Sequence, residues 1–140
     1  MPVLEFVVSL KAPPARVFAA LTGARHLEGW FCDEAVVEPG VGGRLMMRWA
    51  GPHASPQAYE ARWQAWDPPR SCGFAGGHAG YPDGDAGRIE YEVSDDAGDA
   101  RLRVRHEMPD RPEYEPIAER YRLAWPKALG RLKGYLAPVR

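Results

Sequence analysis

The sequence predicts an α+β fold, an antiparallel sheet packed on one face by helix, and three features predict it. Near the end, Ile117 to Leu136 read as one long amphipathic helix. At about 100° per residue, Ile117, Tyr121, Trp125, Ala128, Leu129, Leu132, Tyr135 and Leu136 fall within an arc of roughly 120°. Glu119, Lys127, Arg131 and Lys133 fall outside it. The chain before this helix is a series of short segments in which apolar and polar residues alternate, the period of half-buried strands. Other helical patterning is confined to the stretch just after the first strand. Runs of strands with segregated helices mark the α+β class.

The first strand is residues 3–11, with Leu4, Phe6, Val8 and Leu10 on one face and Glu5 and Ser9 on the other. Pro13 and Pro14 stop it and suit the first turn of a helix, where a missing N–H costs nothing. Val17, Phe18 and Leu21 form the stripe of that short helix, which Gly23 ends. Residues 26–31 (HLEGWF) form a second helical turn. Strands Ala35–Glu38 and Arg44–Trp49 then flank the turn Pro39-Gly40-Val41-Gly42-Gly43. In the second of them Leu45, Met47 and Trp49 share a face against Arg44, Met46 and Arg48.

A loop with Pro52 and Pro56 leads to Tyr59–Trp66, where Tyr59, Ala61, Trp63 and Ala65 alternate with Glu60, Arg62 and Gln64. Trp66 breaks the alternation, which predicts a bulge or strand end there. Asp67-Pro68-Pro69 turns the chain into a short strand, Ser71–Ala75, which offers Cys72 and Phe74. The glycine-rich run 76–87 reads as a mobile loop at a sheet edge. In the last hairpin, a turn centred on Asp96 to Gly98 pairs Glu92 with Arg103 and Glu90 with Arg105 outside. The same register sets Tyr91 beside Val104 and Ile89 beside His106 inside. Pro126 would cost a helix interior about 3 kcal/mol. It either kinks the long helix or, as favoured here, opens its main part after a helical turn at Ile117–Arg122.

A length of 140 residues fits one domain, residues 1–140, able to bury a core of its own. A net charge of −1 argues against nucleic acid as a partner, which calls for a basic surface. The opening residues lack a basic n-region, and the run between Glu5 and Lys11 is too short for a signal peptide or membrane span, so the cytoplasm is the expected compartment. Cys32 and Cys72 show no CxxC spacing and read as free thiols. His26, His53, His78 and His106 are too scattered for a metal site. Asp83-Gly84-Asp85 reads as a turn, and the glycines at 40, 42 and 43 precede no helix that could cradle a phosphate. No metal, cofactor or catalytic constellation is expected.

Five segments, in order, resemble a known family: APPARVFAALTGARHLEGWF (12–31), VVEPGVGGRLMMRW (36–49), AWDPPRSCGF (65–74), LRVRHEM (102–108) and AWPKALGRLKGYL (124–136). They are similar to START-like SRPBCC domains, specifically the homologues of the heat-shock-protein-90 ATPase activator. The resemblance implies a helix-grip fold: a curved antiparallel sheet wrapped around a long C-terminal helix, short helices after the first strand, and a cavity between sheet and helix. Members of this superfamily include ligand carriers, aromatase/cyclase enzymes and chaperone-regulating domains, so the fold does not give the function. The sequence departs from the family at Gly76, where a Trp often closes the strand, and in the glycine-rich loop that follows.

Aromatic residues converge on the predicted interior. The candidate ligand-binding residues are Trp30, Phe31, Met47, Trp49, Trp63, Phe74, Tyr91, His106, Tyr121, Trp125 and Leu129. Such a lining either walls a small-molecule cavity or fills a solid core. His106 is the notable polar member: a ligand contact, a general acid/base paired with Tyr91 or Tyr121, or a structural histidine. Orientation of a ligand is expected from His106, Tyr91, Tyr121 and the indole of Trp49 or Trp63, and loop 76–87 is expected to gate the cavity. Cys32, with no basic neighbour, reads as an ordinary thiol at the mouth. Arg120, Arg122, Lys127, Arg131, Lys133 and Arg140 read as a solvated face suited to a helix C-terminus. Gly130 and Gly134 share that face and would admit a second subunit, although the sequence leaves the oligomeric state open. The leading expectation is a non-enzymatic domain that holds a small apolar or amphipathic molecule. A cyclase- or hydrolase-like enzyme and a chaperone-interacting domain are the alternatives.

Overall fold

The computed structural model describes residues 2–49 and 58–138. Pro52, His53, Pro56 and Arg140 lie outside the described residues. Strand β1 (Val3–Leu10) buries Leu4 and Leu10 and exposes Glu5 and Val7. Helices α1 (Pro14–Thr22) and α2 (Ala24–Trp30) follow, meeting at Gly23, whose N–H bonds Ala19 O and whose carbonyl accepts from Leu27. The Trp30 indole donates to Ala20 O at 2.9 Å and locks α2 onto α1. Then come β2 (Glu34–Val37), β3 (Arg44–Arg48), β4 (Tyr59–Asp67), β5 (Ser71–Gly77), β6 (Arg88–Asp96), β7 (Asp99–Glu107) and the long helix α3 (Tyr114–Leu136).

All strands pair antiparallel in one sheet of order β1-β7-β6-β5-β4-β3-β2. Strands β1 and β2 are consecutive in sequence yet form opposite edges, and α1 and α2 carry the chain between them. Helix α3 lies in the concave face and buries Ile117, Trp125, Ala128, Leu129, Leu132 and Leu136. This is the helix-grip arrangement.

The last hairpin has the expected register: Glu92 opposes Arg103, Glu90 opposes Arg105, Tyr91 opposes Val104 and Ile89 opposes His106. Ala97 and Gly98, both at positive φ, make the two-residue turn. The charges choose other partners. Strand β7 has β1 on its far side, so Arg103 and Arg105 reach Glu5 at 3.1 and 3.5 Å, and Glu90 bonds Arg88 at 2.8 Å.

Five expectations need correction. The break in β4 lies between Trp63 and Ala65, ahead of Trp66. The extra residue there turns Trp66 inward, against Phe18 and Trp63 at 5.4 and 4.9 Å. Strand β5 continues to Gly77, because Gly76 and Gly77 pair with Ala61 and Glu60. A Cβ at Gly76 would stand 2.0 Å from Glu60 O, so no side chain, least of all a Trp, fits this close strand approach.

Helix α3 runs unbroken through Pro126 over 23 residues. Pro126 is on the exposed side, where water can satisfy the carbonyl it leaves unpaired. Tyr135, expected inside, is 38% exposed and lies over Gly29 with its hydroxyl 2.7 Å from His26 Nδ1. Met46, expected outside, is buried. Among the described residues no helix is long and apolar enough to cross a membrane.

Gly130 and Gly134 face open space, with no described atom within 4 Å of a Cβ built on either. Gly130→Ala is therefore expected to raise the unfolding free energy by about 1 kcal/mol, and Gly76→Ala to lower it by about 1–3 kcal/mol. Urea denaturation measures both. A loss in Gly130→Ala would show that something covers the outer face of α3.

Candidate ligand site

The cavity forms because four adjacent strands each turn one residue toward the same stretch of α3. These are Met47 of β3, Tyr59 of β4, Phe74 of β5 and Ile89 of β6. Helix α3 answers with Tyr121, Ala124, Trp125, Ala128 and Arg131, spaced three and four apart as one helical face requires. Phe31, at the end of α2, and Trp49, just past β3, form the wall nearest the mouth, and His78 and Tyr81 close the opposite side. The space, open to solvent on one side, is about 270 Å³.

The small side chains of Ala124 and Ala128 keep α3 from filling that space. Phe31 packs edge-on to Trp49 at 5.5 Å and parallel to Trp125 at 6.2 Å, and the Trp49 indole donates to Phe31 O at 2.6 Å. Trp49 is thus a rim residue, 36% exposed, and not the interior strand residue that alternation implies.

Of the expected ligand residues, Phe31, Met47, Trp49, Phe74, Tyr121 and Trp125 reach the cavity wall. Trp30, Trp63, Tyr91, His106 and Leu129 are buried behind it and pack as solid core. Trp30 stacks on Phe31 at 4.8 Å; Trp63 meets Phe74 edge-on at 5.4 Å; Tyr91 lies between Phe74 and Trp125. The two readings of the aromatic cluster therefore divide the interior between them: cavity at the β3–β6 end of α3, filled core elsewhere.

His106 is fully buried and both its ring nitrogens are occupied. The Trp125 indole N–H donates to Nδ1 at 3.1 Å, which places the ring proton on Nε2, and Nε2 donates to Ala86 O at 2.8 Å. Gly87 permits this contact: at φ +92° it lets the backbone pass so close to β7 that a Cβ would sit 2.3 Å from Glu107 O. Burial lowers the His106 pKa, with the Ala86 carbonyl opposing the shift. A neutral histidine with no free nitrogen is a structural one, so neither the acid/base reading nor the ligand-contact reading of His106 describes this geometry.

Tyr59, His78, Tyr81, Ile89, Ala124, Ala128 and Arg131 are wall residues that the sequence reading did not select. Periodicity already turns Ile89 and Ala128 inward, and strand alternation does the same for Tyr59. Its hydroxyl is buried and has no hydrogen-bond partner among the described residues. Burial raises its pKa, so it stays protonated and able to donate. Leaving such a group unpaired costs about 1–3 kcal/mol.

Arg131 lies outside the apolar arc, yet its Nε donates to Trp30 O at 3.1 Å and its side chain joins the wall. Helical periodicity cannot reveal this, because a long arginine stem lies along apolar surface while its head reaches elsewhere. Tyr81 and Tyr121 are hydrogen-bonded through their hydroxyls with rings stacked at 6.5 Å, and His78 packs on Tyr81 at 4.5 Å.

The glycine-rich run is not the open loop expected. After Gly77 it forms a 3-10 turn at Pro82–Gly84 that is tied to the start of α3. The Tyr114 hydroxyl donates to Pro82 O and Asp85 O at 3.1 and 2.6 Å, and Arg111 pairs with Asp83 at 2.7 Å. Burial holds the Cys32 thiol up at about 11, with Glu28 and Asp33 adding to the shift, and Cys72 at about 12, so neither is a thiolate nucleophile. Among the described residues no three His, Cys, Asp or Glu side chains gather as metal ligands.

The buried imidazole makes stability depend on pH with a definite sign. Native His106 resists the proton that the unfolded chain accepts near pH 6.5, and His78 is shifted the same way by burial. The unfolded state then binds more protons, so this contribution is whole above about pH 6.5 and falls as the pH drops through that value. It levels off once the native ring itself protonates. Urea denaturation at pH 7 and pH 5 is expected to show the loss, and His106→Gln to shrink the difference between the two. An undiminished difference in that variant would assign the loss to other groups.

Comparison with known proteins follows the same lines as the geometry. The family model described as "Activator of Hsp90 ATPase homolog 1-like protein" matches residues 11–137. No curated protein matches the sequence. Several solved structures share the fold at low identity. A Mesorhizobium loti protein is 17% identical, with 96% of each chain covered and a TM-score of 0.81. The Aha1 dimer of Colwellia psychrerythraea, solved in solution, is 19% identical over 97% of this chain and 96% of that one, with a TM-score of 0.80. CalU16 of Micromonospora echinospora is 19% identical over 97% of this chain and 76% of that one, with a TM-score of 0.77. With the family match spanning nearly the whole chain and the helix-grip fold in place, the chain belongs to the Activator of Hsp90 ATPase homolog 1-like family of START-like SRPBCC domains.

Proposed function

We propose that this protein binds a small, largely apolar molecule in the cavity between the sheet and α3. The observation that carries the reading is an aromatic-lined space of about 270 Å³ that the small Ala124 and Ala128 leave between the sheet and α3. A core evolved only for packing would fill that space. Ligand sites combine such apolar walls with a few directed polar groups, and burial of the ligand's apolar surface supplies about 25 cal/mol per Å² before association costs. The directed groups here are Tyr59, the Tyr81–Tyr121 hydroxyl pair and Arg131; His106 acts behind the wall by holding Trp125.

The enzymatic alternative draws no support from the wall. His106 has no free nitrogen, the tyrosine hydroxyls of Tyr59 and Tyr121 are held protonated by burial, and no carboxylate lines the cavity among the described residues. A chaperone-binding role is favoured by the family description alone. It would use an outer surface, and so would be insensitive to changes in the cavity.

Native mass spectrometry of freshly purified protein is expected to show a small adduct that is lost on denaturation. Ala124 is exposed where it borders the cavity, so Ala124→Trp is expected to block the space and abolish the adduct while changing stability by less than about 0.5 kcal/mol. A bare wild-type mass, with no thermal shift from any small aromatic compound, would reject the cavity reading. Stoichiometric chaperone capture that survives Ala124→Trp would favour the outer-surface role.

A further inference from the structure

We infer that the ligand is an aromatic carboxylate of about ten non-hydrogen atoms, with its carboxylate held by Arg131 at the cavity mouth. This rests on the ligand-binding reading above and narrows it to a chemical class. Size comes first. A water molecule's share of liquid volume is roughly 30 Å³, so a space of 270 Å³ matches a single-ring compound with a short side chain. Shape comes next. The walls are ring faces and edges, with Phe31 and Trp125 parallel to one another and Trp49, Tyr59 and Phe74 around them. A planar ring meets such surfaces by offset or edge contacts better than a branched aliphatic does.

Charge decides the rest. Arg131 is the one formally charged residue on the described wall, and no Asp or Glu is there to neutralise it. Residues 50–57, which join Trp49 to β4, contain no Asp or Glu either. Elsewhere on the protein, arginines at 44, 48, 62, 88, 103, 105 and 111 each have a carboxylate within 4.0 Å. Arg131 differs. Its Nε is fixed on Trp30 O, and its two terminal amino groups make no hydrogen bond or ion pair among the described residues. A guanidinium pinned by one nitrogen, with its remaining donors free beside an apolar cavity, is set for a carboxylate fork.

Phenylacetate and phenylacetamide, equal in size and differing in charge, separate this inference from the general one. In ligand-observed NMR titrations of the wild-type protein, phenylacetate is expected to bind about tenfold or more tighter than phenylacetamide, the worth of one charge-assisted contact. Arg131→Gln is expected to bring that ratio close to one, and Arg131→Lys, which keeps the charge, to retain part of it. Equal affinities for the two compounds, or a preference that survives Arg131→Gln, would overturn the carboxylate assignment and leave the apolar cavity standing. Binding of neither compound to the wild-type protein would overturn both.

Discussion

Helix α3 is held against the sheet by many apolar contacts, while its rotation about its own axis is fixed by directional hydrogen bonds, the most deeply buried of which form one short chain. Trp125 donates to His106, and His106 donates to Ala86. Apolar packing is non-directional and would tolerate a helix turned by some tens of degrees. The hydrogen bonds are directional, and being buried they are costly to break. They tie α3 to β7 and to the backbone just before β6 at one point. With Trp125 fixed, Tyr121 one turn earlier and Ala128 one turn later must also face the sheet, and the gap over the alanines becomes a defined space. The second anchor, Tyr114 bonded to Pro82 and Asp85 carbonyls, holds the same connector at the start of the helix.

This arrangement gives the interior two distinct regions. Toward β1 and β7, leucines and valines such as Leu4, Leu102, Val104 and Leu132 leave nothing exposed. Toward β3, β4 and β5, large rings meet the small Ala124 and Ala128. Rings are rigid plates that cannot collapse into the corner an alanine vacates, so bulk on the sheet and smallness on the helix together make a cavity and not a denser core. His106 is saturated within the solid region, where the Trp63 indole N–H has no partner among the described residues; Arg131, at the cavity, keeps donors uncommitted. A group left unpaired at an interior surface destabilises the empty protein, and a ligand that pairs it recovers that loss on binding.

Much of the fold was legible in the chain because it rests on periodicity. The alternation in β1, β6 and β7 set the inner and outer faces, and in the last hairpin two independent patterns, charge outside and apolar inside, agreed on a single register. What misled was periodicity carried past an irregularity. One extra residue at Gln64 reversed the face of Trp66, and Tyr135, at the edge of the apolar arc, lies over Gly29 of α2 while Leu136 beside it is buried. Pro126 was read as a boundary because the backbone penalty is local, yet an exposed carbonyl can be hydrated, and packing on both sides of the proline keeps the helix whole. Glycine density at 76–87 was read as freedom. Here it serves close approach, because Gly76 and Gly87 lie where a Cβ would strike a neighbouring backbone.

For the site, the sequence by itself determined most of the aromatic side chains that point inward and, through five resembling segments, the family to which the chain belongs. It determined these because facing is a property of one strand or one helix at a time. Which of those rings wall a cavity and which fill the core was decided only by the tertiary structure. That outcome depends on pairs of residues far apart in the chain: Phe74 against Tyr59, Trp125 against His106, Arg131 against Trp30. Whether a hydroxyl is satisfied, or a guanidinium is left with free donors, is a property of the space between elements, and no single element's pattern contains it.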